Sequence, residues 1–194
     1  SFTEGTSENL VDEIEEINKE IGEDEVEGYV LDLRNNPGGL LSEAVNVADI
    51  FLNEGEVVST KGRHERDSQK FSSTYGDITD GTPLVVLINS GSASASEIVA
   101  GAIQDHRRGL VVGEKSFGKG SVQTVMPLEN DSAMRLTTSR YYTPSGTSIQ
   151  AKGITPDIVI AQADLEFSEA VARAKEADLR GHLDNDVEEK GKKE

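Results

Sequence analysis

Asn89-Ser90-Gly91-Ser92-Ala93-Ser94-Ala95-Ser96-Glu97-Ile98 is the stretch on which the reading of this chain turns. The apolar run from Leu84 to Ile88 leads into it, and a helical pattern, Ile98, Val99, Ala102 and Ile103, leads out. Between them sit small residues and hydroxyls. A buried strand is therefore expected to turn sharply into a helix N-terminus, where free N–H groups and the positive dipole end face outward. That is suitable ground for a nucleophilic Ser beside an oxyanion site. Ser94-Ala95-Ser96-Glu97 also fits the S-x-x-E capping box, in which the Ser merely satisfies a helix N–H. Capping is the commoner fate of such a Ser, so residues elsewhere must decide.

The 194 residues suit one domain with a real core. An apolar fraction of 35% and a mean hydropathy of −0.44 lean polar but remain globular. No apolar run approaches the length of a membrane span, and no signal peptide is visible. The start at Ser1-Phe2-Thr3 reads as a mature form or an excised fragment. Cys is absent, which excludes disulfides, a thiol nucleophile and Cys-ligated zinc and is compatible with any compartment. The net charge is −17, and 11 of the 36 acidic residues lie in the first 27 positions against one basic residue, Lys19. Phosphate backbones require Lys and Arg, so nucleic acid is excluded as a partner, and docking on anionic membrane is disfavoured.

Working outward from the turn, residues 8–21 place Leu10, Val11, Ile14, Ile17 and Ile21 on one helical face, with Ser7 or Thr6 as cap and Gly22 as terminator. Gly28 to Arg34 reads as a mostly buried strand. Asn35-Asn36-Pro37-Gly38-Gly39 forces a turn, and a helix with Leu41, Ala44, Val45, Ala48, Phe51 and Leu52 on one face follows. Val57 to Thr60 is a short strand, and polar residues 61–82 form a hairpin or exposed loop. Residues 109–113 are another strand. Strands near 30, 86 and 111 separated by helices indicate βαβ units with parallel pairing. Residues 122–126 alternate as a strand, Met134 to Tyr142 is its hairpin partner, and residues 154–160 are extended, with Pro156 marking an edge. A short helix is expected from Glu166, through Phe167, Ala170, Val171 and Ala174, before a charged, disordered tail. The division is thus a core at 1–165 and a tail at 166–194. The tail helix has two readings, an assembly element or packing on its own core.

The chemistry narrows by elimination. Gly113 to Gly120 nearly spells the P-loop G-x-x-x-x-G-K-[ST], but Gly120 replaces the final hydroxyl and a strand pattern replaces the helix. Lys119 then lies between two glycines beside Phe117, where burial would favour a neutral amine fit to act as a base; a solvated loop Lys is the plain alternative. His106 follows Ser94 by twelve residues on one helix, about 18 Å along the axis, too far to be its base. Asp105 fails the same test. His64 and His182 have weak contexts, and no metal-binding spacing occurs.

A serine nucleophile without His needs another base, and Ser-Lys pairing is the known variant. At this point the residues resemble a family. Leu31-Asp32-Leu33-Arg34-Asn35-Asn36-Pro37-Gly38-Gly39, Gly91 to Ile98, Gly113 to Gly120, Tyr142-Thr143-Pro144-Ser145-Gly146 and Gly153-Ile154-Thr155-Pro156-Asp157 occur in the order of the carboxy-terminal processing, or tail-specific, proteases. The resemblance runs over residues 3–160. It implies an S41-type endopeptidase with a crotonase- or Clp-like ββα core: an α/β fold with a mixed, largely parallel sheet, flanking helices, a β-hairpin region and a helical tail. It implies Ser94 as nucleophile, Lys119 as base, Gln123 orienting the Lys, and an oxyanion hole from the Ala95 N–H and the Gly38-Gly39 turn. Fully extended backbone would put Lys119 and Gln123 about 13 Å apart, so Gly120 must bend the chain. No metal or cofactor is required. The implied partners are protein substrates presented by their C-termini, with a homo-oligomer or adaptor as further candidates, in a periplasmic or other extracytoplasmic setting. Such proteases usually carry a PDZ domain ahead of the core, and this sequence begins at about the point where it would end. The competing expectation is a non-catalytic binding module in which Ser94 is only a cap.

Overall fold

A computed structural model describes residues 1–22, 25–74, 76–130, 132–161 and 178–182. The elements run α1 (Thr6–Ile21), β1 (Tyr29–Asp32), α2 (Leu41–Asp49), β2 (Gly55–Gly62), β3 (Gln69–Ser73), β4 (Leu84–Ile88), α3 (Ala95–Asp105), β5 (Leu110–Gly113), β6 (Ser121–Pro127), β7 (Ala133–Tyr142) and β8 (Ile158–Val159). The expected helix from Glu166 through Ala174 and the charged tail at 184–194 lie outside the described residues.

Two four-stranded sheets form. One is parallel, in the order β1-β4-β5-β8, and the other antiparallel, in the order β3-β2-β7-β6. The expected hairpin at 122–142 is therefore half of a second sheet as large as the first. The polar stretch 61–82 supplies β3 and the loop that folds it back on β2. Beyond β3, Asp77 gathers the loop by accepting from Thr79 N–H at 2.9 Å and from Arg108 Nε at 2.7 Å.

Successive crossovers in a parallel sheet share one hand, so α2 and α3 pack together on the same face. There Val86, Ile88, Val99, Ile103 and Val111 are buried with Val47 and Phe51. This corrects the expectation of a mostly buried β1. Val30 is 66% exposed and Leu110 is 50% exposed, because the sheet's other face is not covered by these helices. Pro156 marks an edge as expected, since β8 closes the parallel sheet on one side.

The cap of α1 also needs correction. Neither Thr6 nor Ser7 caps it; Gly5, at φ 81°, is the N-cap residue. Thr6 exchanges bonds with Thr3, and the Ser7 N–H and hydroxyl both donate to the buried Glu43 carboxylate, at 2.8 and 2.9 Å. Tertiary demand for donors at Glu43 outweighs the local capping preference. Gly22 does end the helix, its N–H donating to Asn18 C=O.

Candidate active site

The turn between β4 and α3 is held from several sides. Ser92 Oγ donates to Leu33 C=O at 2.7 Å and accepts from Asn89 N–H at 3.0 Å. Ala93 N–H and Ser96 Oγ both donate to Asn36 C=O, at 3.0 and 2.9 Å. These bonds hold Ser94 at φ 55°, ψ −112°, a conformation rare for a residue with a Cβ. Such strain costs on the order of 1–3 kcal/mol and persists only where the surroundings over-determine it. Ser94 itself is half-buried and heads α3. Its side chain lies over the Glu97 N–H as in a capping box, yet closes no capping hydrogen bond.

Glu97 completes the box and does much more. Its side chain is fully buried. Oε2 accepts from the Ser94 N–H and the Lys119 N–H, each at 2.8 Å. Oε1 accepts from the Ser116 hydroxyl at 2.5 Å and the Gly118 N–H at 2.7 Å. The amide nitrogens of Ser94 and Lys119 therefore lie no more than twice 2.8 Å apart. Burial pushes the Glu97 carboxyl up to about 7, against the opposing pull of its four donors. From sequence, Glu97 is a cap. Its position at the third residue of the helix was the available signal, but nothing local says that the far side of the carboxylate meets the 116–119 loop.

Further contacts fix that loop. Phe117 N–H donates to Ser92 C=O, and Ser116 N–H donates to Ile154 C=O. Gly118 C=O accepts from Ala151 N–H at 2.8 Å, and Gly120 N–H donates to the buried Gln150 Oε1 at 3.1 Å. A Cβ on Gly120 would stand 2.3 Å from Gln150 N, so only Gly lets the two segments approach. Lys119 is half-buried between them. The strand Ser121–Pro127 follows directly, which removes the helix a P-loop requires.

The other expected residues are placed less closely. Gln123 lies exposed in β6, and no hydrogen bond joins it to Lys119. Gly38 sits against the turn between β4 and α3: a Cβ there would stand 2.6 Å from Ala93 C=O and 2.8 Å from both Ala95 N and Ser94 Cβ. The Gly38 N–H donates to Asn36 Oδ1 at 3.0 Å. Gly39 and Ala95 keep N–H groups without an acceptor among the described residues. Phe2, 3% exposed, straps this glycine turn by donating to Gly38 C=O and accepting from Leu40 N–H. Asn36 and Phe2 were missed as site residues, because the first reads as turn chemistry and the second as a terminus. The histidines stay apart, with His106 Nε2 2.7 Å from Glu56 C=O. Asp105 is structural, accepting from Ser145 N–H at 2.8 Å.

A separate cleft of about 600 Å³ opens at the carboxyl ends of the parallel strands, with Asp32, Arg34, Asn35, Asn89 and Glu114 in its lining. Neither Ser94 nor Lys119 lines it.

Comparisons with known proteins identify the family and the fold. Residues 1–160 match the family described as peptidase family S41. A carboxy-terminal-processing protease of Bartonella bacilliformis is 56% identical over 194 residues, covering 100% of this chain and 43% of that protein. A carboxyl-terminal-processing protease of Synechocystis is 40% identical over 168 residues, covering 87% of this chain and 39% of that one. The solved structure of a photosystem II D1 C-terminal processing protease is similar at a TM-score of 0.74 and 40% identity, over 82% of this chain and 40% of that chain. The chain thus spans about two-fifths of the length of the curated relatives it matches.

Proposed function

The chain belongs to peptidase family S41, and from that premise we propose that it is the core of a serine endopeptidase that cleaves protein substrates near their C-termini. Ser94 is the nucleophile and Lys119 the general base. The observation that supports this most is the Glu97 carboxylate, which ties the two residues' backbones to one oxygen across the gap between loops.

In this reading the neutral Lys119 amine takes the Ser94 hydroxyl proton as Oγ attacks the peptide carbonyl. The Ala95 N–H and the Gly39 N–H meet the developing oxyanion, with Gly38 shaping the approach. The ammonium of Lys119 returns its proton to the leaving amine, and an acyl-enzyme remains. Water then attacks the ester with Lys119 again as base. Gln123 orients the Lys119 amine through its side-chain amide, a contact that forms with substrate in place. Residues 1–165 act as the protease core. The setting we propose is outside the cytoplasm; among the described residues no helix is long and apolar enough to cross a membrane.

A fluorophosphonate probe tests the assignment directly. Incubated with the full-length protein, it should attach to Ser94, as mapped by mass spectrometry of the labelled peptide. A folded protein left unlabelled would mean that Ser94 is only a helix cap on a binding module.

The glycine turn carries a second expectation. Gly38→Ala must hold φ 96° and fit a methyl between Ala93, Ser94 and Ala95. Backbone displacement there misaligns the oxyanion donors, so kcat should fall about 100-fold. Steady-state kinetics beside a thermal melt separates this from unfolding.

A further inference from the structure

We propose that the free edge of β6 is the docking strand for substrate: an extended, apolar peptide segment adds to it as a further strand and is thereby delivered to Ser94. This inference rests on the protease reading above. Among the described residues β6 is the last strand of the antiparallel sheet, with β7 on one side only. Its backbone alternation can be read from both ends. At one end Gly120 C=O accepts from Tyr141 N–H at 2.7 Å, and at the other Leu128 N–H donates to Ser132 C=O at 2.8 Å. Residues of even number therefore face β7. The extra residue at the register shift, Thr138, belongs to β7 and leaves this alternation intact.

Ser121, Gln123 and Val125 accordingly turn their N–H and C=O groups to the open side. Two residues before the strand, Lys119 gives its N–H to Glu97 Oε2, the same atom that holds the Ser94 N–H. The open edge thus begins beside the nucleophile. It ends at Pro127, which has no N–H to offer. Between these limits there is room for about five extended residues. Unpaired edges of this kind bind chain by main-chain bonds, with alternate side chains giving selectivity. Here the neighbouring face is apolar: Met126 pairs with Met134 and Thr124 with Leu136, and Met126, Met134 and Leu136 are 40–44% exposed. Val125, 58% exposed, lies on the other face. An apolar unfolded tail fits this surface better than a charged one.

The test uses the full-length protein and an unstructured apolar peptide that it cleaves. Single backbone nitrogens of the peptide are N-methylated in turn. kcat/KM should fall about ten-fold at alternate positions and little at those between. Val125→Pro, which deletes one outward N–H without touching the β7 ladder, should fall about ten-fold, whereas Val125→Ala should fall less than about three-fold. Uniform tolerance of N-methylation, or Val125→Pro matching Val125→Ala, would overturn the docking proposal. If Val125→Pro does not fold, the peptide series decides alone. Fluorophosphonate labelling of the wild type separates the two readings: without it both fall, and with it a flat methylation series removes only the docking strand.

Discussion

Ser94→Ala and Lys119→Ala should each lower kcat on a protein substrate by about 10⁴-fold or more, and the double variant should be no worse than either. Residues that act as one unit do not add: without the hydroxyl there is nothing for the amine to deprotonate, and without the amine the hydroxyl stays a weak nucleophile. His106 cannot substitute as base, since it is held by Glu56 C=O at the far end of α3. Lys119→Arg should be as inactive as Lys119→Ala, because a guanidinium stays protonated at any working pH. The structure also predicts that these losses leave the fold intact. Glu97 bonds the backbone N–H of Ser94 and of Lys119, so changing either side chain keeps both bonds. Cleavage assays on full-length variants with matching circular dichroism provide the check. Retained cleavage by Ser94→Ala would sink the assignment.

The strand, sharp turn and helix at 84–105 are legible in sequence because their signals are local: an apolar run, small residues, then a helical period. The parallel pairing of β1, β4 and β5 follows from their alternation with helices. The Ser94 backbone is a different matter. A φ of 55° at a Ser has no signature in residue type, because it is imposed by Asn36 and Glu97 from outside the turn. Phe2 over Gly39 is equally silent, as is Gln150 over Gly120, since close backbone approach depends on segments thirty or more residues apart. The α1 cap failed for the same reason, with Ser7 claimed by Glu43 in α2. Local chemistry located the turn and Lys119; only the folded chain shows which buried groups hold them together.

Glu97→Gln should lower kcat/KM about 10³-fold and change the response to pH in two opposite ways. Four donors face the carboxylate, two on each oxygen. An amide has one accepting oxygen and one NH₂. Turned one way, its NH₂ meets the Ser94 and Lys119 N–H donors; turned the other, it meets the Gly118 N–H, while the Ser116 hydroxyl rotates to accept from it. Either Ser94 and Lys119 lose their common anchor, or Gly118 loses its acceptor, and an unsatisfied buried N–H costs about 1–3 kcal/mol. Either loss loosens the seating of the Ser94 turn against the 116–119 loop. The sign of the pH effect follows from the carboxyl raised from 4.5 to about 7. A raised acid stabilises the fold fully below its unfolded value, near 4.5, and that contribution disappears as the pH rises through 7, an effect on the order of 3 kcal/mol. Wild-type stability should therefore carry a downward component between about pH 5 and 8 that Glu97→Gln lacks. Activity should run the other way. Only the ionised carboxylate accepts from all four donors, so cleavage by the wild type should rise through pH 7 as Glu97 ionises. Chemical denaturation at several pH values, with kcat/KM measured alongside, distinguishes this from simple loss of fold. Equal stability slopes in the two proteins would show that Glu97 is not the group titrating there, and an active Glu97→Gln would remove it from the alignment of Ser94 and Lys119.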